Sequence, residues 1–416
     1  MKSPTAPHRY RNNETAISLG NRFWNKSREQ GVSGIIAEYD NGILTTRNGH
    51  QFQNFCCCSY LDFDRHPHLI EGAIKALRTY GVLDHCIPRT RVQLPALLHL
   101  EEQLSKLFKA QTISAISASV ASQGFLPLMA SGHLSQGKRP LMVFDKQCHV
   151  SMAQIKPVCA DESEVVTLPH HDLGRLEDYL KTYENVCYIL DGSDSLGGYA
   201  PVHDLSYLQE KYGLYLFYDD SHSLSIQGRY GEGYIKTHLE TLNARTFIVA
   251  TLNKAFGSSG ACLMMDNQPQ SHLEIIERFG GALSYSQPMN TAAIGASLAS
   301  IELHQSPLLK TRQKMLQENI ALFDRSLDSP HKGTDYPIRL IPQKDGESAV
   351  SLGRKLFDAG FYTSPVFFPI VAKGQAAIRL MIHALHDPED IKTIAHLIHH
   401  HMQEQKEMEG EEHATL

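Results

Sequence analysis

The chain has 416 residues, 42% apolar and 20% charged, and a net charge of −6. That length suits two packed units plus an arm better than one small core. The negative balance gives no draw toward nucleic acid or anionic lipid, and no apolar run reaches the roughly 20 residues needed to cross a bilayer. Neither nucleic acid nor membrane is therefore expected as a partner. The N-terminal MKSPTAPHRYRNNETAIS carries charges but no apolar stretch of a secretory signal, so the expected location is the cytoplasm.

Residues 1–58 read as an N-terminal arm with a short helix and a hairpin, because DNGILTTRNGHQFQNF alternates and is broken by Asn-Gly pairs. Cys56, Cys57 and Cys58 close the arm. Consecutive strand residues face opposite ways and make a poor metal cage, so these read as reduced thiols at a buried strand end. Helix and strand patterns alternate over 59–292. HPHLIEGAIKALRTYG places Leu69, Ala73, Ile74 and Leu77 on one face and stops at Gly81, and a second helix runs through LLHLEEQLSKLF. Short apolar strands follow at LMVFD (141–145), VCYILD (186–191), LYLFYDD (214–220), TFIVATLN (246–253) and ACLMMD (261–266). Near-continuous apolar runs ending in Asp predict an α/β fold with a large, mostly parallel sheet that binds ligands where its strands end. Residues 293–403 read as a smaller C-terminal α/β domain, and 404–416 as a polar, disordered tail. In IAHLIHHHM, His396, His399 and His400 share a helix face; with no carboxylate support, it reads as a solvated face, and no metal site is expected.

The polar residues at the strand ends carry the chemistry. In ATLNKAFGSSGA, Lys254 leaves an apolar strand into a Gly/Ser-rich turn. Alone it is a charge leaving the core. A Schiff-base lysine needs a desolvated site and small neighbours that leave room for a bound ring, and this segment offers both. YDDSHS ends another strand 35 positions earlier. A buried carboxylate such as Asp219 is costly without a cationic partner, and the pyridine nitrogen of pyridoxal phosphate (PLP) is one. His222 then lies within reach of the ring oxygen or the substrate; the bland reading of the segment is a turn cap. FDKQCHVSM places His149 at a helix start, where its ring can stack on a planar cofactor. SAISASVASQG (114–124) is a run of small residues that lets amides at a helix N-terminus approach a phosphate. In LDGSDSLGGYAP, Ser195 can donate to the ring oxygen.

In this order the motifs resemble those of the α-oxoamine synthase family, fold-type I PLP enzymes that include 8-amino-7-oxononanoate synthase and serine palmitoyltransferase. The resemblance runs from about residue 50 to 400. NFCCCSYLDFDRHPHLIEGA is similar to N-F-x-S-x-D-Y-L-G-L-x-x-H-P, SASVAS to S-G-x-x-A-N, and DKQCHVS to D-x-x-N-H-A-S. DGSDSLGGYAP is similar to D-G-x-F-S-M-D-G-x-x-A-P, YDDSHS to D-E-A-H-S, and TLNKAFG to T-L-x-K-A-F-G. GALSYSQPMNTAA resembles the Y-S-T-x-x-P-P stretch, and GQAAIRLMIHALH resembles G-x-A-R-x-R-x-x-x-x-A-x-H.

The resemblance implies that Lys254 holds PLP, Asp219 pairs with its pyridine nitrogen, and His149 stacks on its ring. It gives Ser195 and His222 the ring oxygen, and Thr251 with the backbone of Ala118 and Ser119 the phosphate. It gives Arg379 the amino-acid carboxylate, against a plain reading as a surface arginine on an edge strand. Ser286 and Gln287 would reach the phosphate of a neighbouring subunit, so a homodimer is implied. The implied reaction is decarboxylative condensation of an amino acid with an acyl thioester of CoA or a carrier protein, giving an α-aminoketone for a signal or secondary metabolite. An aminotransferase of the same fold, or a PLP-binding protein without turnover, is the alternative. Several positions depart from the family. LDHCIPRTRVQL (83–94) replaces its glycine-rich stretch and leaves open whether Arg89 or Arg91 contacts substrate. Ser122 replaces the phosphate-loop asparagine, and Ile370 replaces a threonine.

Overall fold

The computed structural model describes residues 10, 13–40, 42–83 and 89–414. They form two compact units, residues 61–313 and residues 1–60 with 314–416.

The first unit is built on a seven-stranded sheet. Its order is Gln111–Ala115, Ala261–Met265, Thr246–Thr251, Tyr215–Asp219, Val186–Asp191, Leu141–Asp145, Val165–Leu168. Ala261–Met265 runs antiparallel to both neighbours, and every other pair is parallel. The sheet is thus mostly parallel, as the sequence predicts. Its five apolar strands are buried along their whole length, which is why they read as continuous apolar runs rather than alternating ones. Four parallel strands end at one edge of the sheet, at Asp145, Asp191, Asp219 and Thr251.

Two strands escape the sequence pattern. Gln111–Ala115 carries Thr112 and Ser114 in a buried position. The tertiary partner makes this tolerable: Glu101 Oε1 accepts from Ser114 N at 2.7 Å and from Ser114 Oγ at 2.6 Å. Val165–Leu168 is only four residues long. The run of small residues divides into the end of strand Gln111–Ala115 and the start of helix Ala118–Ala130. Helices Pro67–Tyr80 and Thr291–His304 meet at Gly72 and Gly295, where a Cβ on either residue would strike the other's carbonyl.

In the second unit, strands Ala37–Asp40, Ile43–Thr46 and Gln51–Asn54 form a sheet completed by Phe361–Tyr362. N-terminal and C-terminal residues therefore share a sheet, through the parallel register of Phe361 with Gln53. A second sheet places Ala376–Met381 between Ile338–Gln343 and Ser364–Phe367. Val32, Phe52, Val350, Phe357 and Phe367 pack into a core of this unit. The last helix is Pro388–Ala414. Among the described residues no helix is long and apolar enough to cross a membrane.

Candidate active site

The strand ends of the first unit surround one cavity. It is lined by Ala118, Ser119, His149, Ser195, Asp219, His222, Thr251 and Lys254. Eight residues singled out by sequence, spread over 137 positions, are thus brought together by the parallel topology. Ser286 and Gln287 are not among its lining residues; they follow helix Gly281–Tyr285 and are half-buried.

Asp219 ends its strand in register with Asp191 on the neighbouring strand. Both are buried. Asp219 Oδ1 accepts from Ser221 N at 3.1 Å, and Oδ2 lies 3.5 Å from Ser151 Oγ. Asp191 Oδ1 accepts from His149 N at 3.1 Å. Burial, then the charges of Asp219 and Asp194, push the Asp191 carboxyl well above the usual range, with His149 N–H and Lys254 pulling the other way. Paired carboxylates of this kind call for a positive group in the cavity. The adjacent Asp220 faces elsewhere. Its Oδ2 accepts from Ile235 N at 2.9 Å, and burial pushes it up to about 7. Of the two consecutive acids, Asp219 is the one that meets the cavity.

The start of helix Ala118–Ala130 lines the same cavity. Ser117 caps it, accepting from Val120 N at 3.2 Å, and Ser117, Ala118 and Ser119 of this first turn line the cavity, where the helix dipole favours negative charge. Thr251 stands opposite at a strand end; its Oγ1 lies 2.6 Å from Asn253 Oδ1 and 3.1 Å from Gly260 O. Ser122, on the same helix as Ala118, is fully buried and is not a lining residue.

Lys254 sits on a turn closed by Gly257 N to Lys254 O at 2.9 Å and Ser258 N to Leu252 O at 2.9 Å. Gly257 has φ +81°, and a Cβ there would come within 2.7 Å of Asp64 N and Phe63 C. Only glycine fits. His149 caps the short helix Val150–Ala153, its Nδ1 accepting from Ser151 N at 3.2 Å. Asp145 anchors the loop that presents it. Tyr188 Oη at 2.6 Å, Gln147 N at 2.7 Å, His170 Nδ1 at 3.0 Å and His171 N at 3.1 Å all address its two oxygens. Burial alone would raise this carboxyl; the donors outweigh burial and hold it at about 2. Asp145, His170 and His171 also come within metal-ligand spacing of one another. With both carboxylate oxygens already bonded, the cluster has the form of a hydrogen-bonded anchor.

Arg89 and Arg91 are distinguished by burial. Arg89 is buried, 2.6 Å from Glu101 Oε2 and 3.6 Å from Glu277 Oε1, so it holds its loop to helix Pro95–Phe108. Arg91 is exposed. Residues 84–88 of the divergent 83–94 stretch lie outside the described residues. Arg379 belongs to the second unit. Its strand is the inner one of three, in register with Leu340 and Ser364, which replaces the edge-strand reading. Cys56 lies close enough for the guanidinium to oppose the rise that burial imposes on its thiol.

Sequence reasoning missed Asp191, Ser117, Ser151, Ser193, Ser221 and Asn253 as cavity residues. Asp191 carried a usable signal, since it ends an apolar strand as Asp219 does. The serines carry none outside the folded arrangement.

The family model for aminotransferase class I and II matches residues 53–398. The chain belongs to this family. It is similar to the 8-amino-7-oxononanoate synthase of Alkaliphilus metalliredigens, 27% identical over 366 residues, which cover 86% of this chain and 89% of that protein. The synthase of the same name from Thermosipho melanesiensis is 26% identical over 374 residues, covering 88% and 92%. Among solved structures, Sphingomonas wittichii serine palmitoyltransferase superposes with a TM-score of 0.80 at 17% identity, covering 92% of this chain and 96% of that one. The 8-amino-7-oxononanoate synthase of Francisella tularensis gives 0.71 at 19% identity, covering 85% and 99%. At these identities the structural likeness concerns the fold. Both names are those of α-oxoamine synthases, the group the motifs resemble.

Proposed function

We propose that this protein is a PLP-dependent α-oxoamine synthase, joining the Cα of an amino acid to the acyl group of a CoA or carrier-protein thioester. The observation that carries the reading is the meeting of Lys254, Asp219 and a helix N-terminus around one cavity. The residues fit the cofactor. The paired carboxylates Asp191 and Asp219 call for a cation, the amides of Ala118 and Ser119 for a phosphate, and the turn at Gly257 leaves Lys254 facing the space between. When bound, PLP supplies a sink for the electron pair left at Cα.

The chain's own residues do the rest. With PLP bound, Asp219 would hold a proton on the pyridine nitrogen, His149 would pack against the ring, and Ser195 and His222 would address the ring oxygen, while Thr251 and the amides of Ala118 and Ser119 would hold the phosphate. Lys254 Nζ takes the Cα proton as general base. The new carbon–carbon bond forms as the thioester carbon–sulfur bond breaks; thiol and CO₂ leave, and a returned proton completes the α-aminoketone. Arg379 keeps the role the resemblance gives it, the substrate carboxylate, where a guanidinium fork suits two oxygens.

A homodimer is part of the same reading. Val92, Phe279 and Tyr285 are 61–68% exposed. Their segments are neighbours: Arg89 N bonds Ser284 O at 3.2 Å, and Arg89 pairs with Glu277. An apolar patch of this kind suits a second copy, with Ser286 and Gln287 beside it. Seven described cysteines are all free thiols, which suits the cytoplasm.

The test supplies purified protein with PLP, a panel of amino acids, and acyl thioesters. Thioester-dependent release of thiol and CO₂ is expected, and Lys254→Ala should lose the visible absorbance of the bound cofactor. Lasting conversion to the pyridoxamine form by amino acid alone, with keto acid released, would make the protein an aminotransferase instead.

A further inference from the structure

Ser225 lies in the turn that follows the strand end at Asp219, and its backbone lies in the left-handed region at φ +71°. Glycine is the usual occupant there, and a side chain is strained unless its surroundings hold it. Here three partners hold it. Its N–H donates to Gly231 O at 2.9 Å, and its carbonyl accepts from Gln313 Nε2 at 2.9 Å. Its Oγ lies 2.8 Å from His304 Nε2.

His304 is buried at the end of helix Thr291–His304. Its Nδ1 lies 2.8 Å from Ser300 O. A carbonyl only accepts, so Nδ1 carries the hydrogen, Nε2 is the acceptor, and the Ser225 hydroxyl donates. Burial pushes the ring down to about 4, which keeps it neutral and this assignment in place. Gly231 makes the contact possible: a Cβ there would lie 2.8 Å from both Ser225 Cα and His304 Cδ2.

The same helix grips the other functional turn. Ser300 Oγ donates to Phe256 O at 2.6 Å, Ser297 Oγ bonds Ser258 Oγ at 2.8 Å, and Ser258 Oγ donates to Ala293 O at 3.0 Å. Phe256 and Ser258 flank Gly257 in the Lys254 turn. One helix therefore backs both the Lys254 turn and the turn that carries Asp219 and His222.

We propose that Ser225 and His304 are positioning residues, a buried latch that fixes the Asp219–His222 turn to the helix holding the Lys254 turn and so sets the spacing of the three cavity groups. The inference rests on the functional reading above. Ser225→Gly removes the hydroxyl while relieving the backbone strain, so it folds. His304→Gln keeps an acceptor at about the reach of Nε2. Both are compared with wild type, loaded with PLP, for kcat, amino-acid KM, the pH midpoint of the cofactor absorbance, and Tm. Ser225→Gly should lower kcat about tenfold with KM changed less than about twofold, and move the pH midpoint. His304→Gln should recover part of both. If both variants keep wild-type kcat and pH midpoint while only Tm moves, the pair is mere packing and the proposal falls. Wild-type protein that binds PLP but shows no thioester-dependent turnover overturns the functional reading, while the absorbance arm still decides the latch.

Discussion

Gly72→Ala tests how closely the backing helix is held. A Cβ at Gly72 would lie 2.6 Å from Gly295 O and 2.8 Å from Ala299 Cβ. Ordinary contact begins near 3.4 Å, so the helices must part by about 0.8 Å. Neither struck atom sits at the end of a flexible side chain, and both move only with helix Thr291–His304. Alanine's better helix propensity returns about 0.8–1 kcal/mol, while overpacking of this kind costs about 1–3 kcal/mol, with a main-chain clash toward the upper end. The net expectation is a loss of about 1–2 kcal/mol. The displaced helix is the one whose Ser300 and Ser297 hold the Lys254 turn, so kcat should fall as well. Gly174→Ala is the control. That glycine is exposed in helix Leu173–Thr182, with nothing nearer its added Cβ than Asp172 Oδ1 at 3.8 Å. It should gain up to about 0.5–1 kcal/mol and leave turnover unchanged. Thermal unfolding and thiol release measured on both variants decide the matter. A Gly72→Ala protein as stable and active as wild type, or two alanines shifting stability alike, would refute the reasoning.

Two further outcomes follow from buried charge. Arg339 is fully buried, with Nε and Nη2 each 2.8 Å from an Asp324 oxygen and other donors on Thr334 O and Ile338 O. Asp324→Ala strands that guanidinium and should cost about 3–5 kcal/mol, whereas Asp324→Leu with Arg339→Met should cost much less; equal losses in urea unfolding would contradict this. His304 is shifted from 6.5 to about 4 by burial, against a hydrogen bond to Ser300 that raises it. The folded value is the depressed one, so the unfolded chain takes the proton first. Its contribution is complete above about pH 6.5 and is lost as pH falls toward 4, about 3 kcal/mol in all. His304→Gln should flatten that part of the stability–pH curve; a curve parallel to wild type between those values would remove His304 as its source.

Residues whose environment is set by their own segment were legible. Strands Leu141–Asp145 and Val186–Asp191 are buried on both faces, so their composition alone marks them. Asp219 could be read because a carboxylate ending an apolar strand is costly without a partner, and Lys254 because a Gly/Ser-rich turn follows it directly. Gln111–Ala115 was not legible, since Ser114 is tolerated only because Glu101 from another element bonds it twice. The same reason hid the role of Arg89, which its ion pairs with Glu101 and Glu277 reveal.

The latch marks the limit most clearly. Nothing in SHSLS or in IELHQ singles out Ser225 or His304, which stand 79 positions apart. A serine on left-handed backbone looks like a defect until its hydroxyl meets a neutral imidazole, and that meeting depends on Gly231 having no Cβ. Each of the three choices is unremarkable alone and costly if either of the others changes. Residues of that kind carry their reason in one another, so only the folded arrangement exposes it, and simultaneous substitution of Ser225 and His304 should cost less than the two single losses added together.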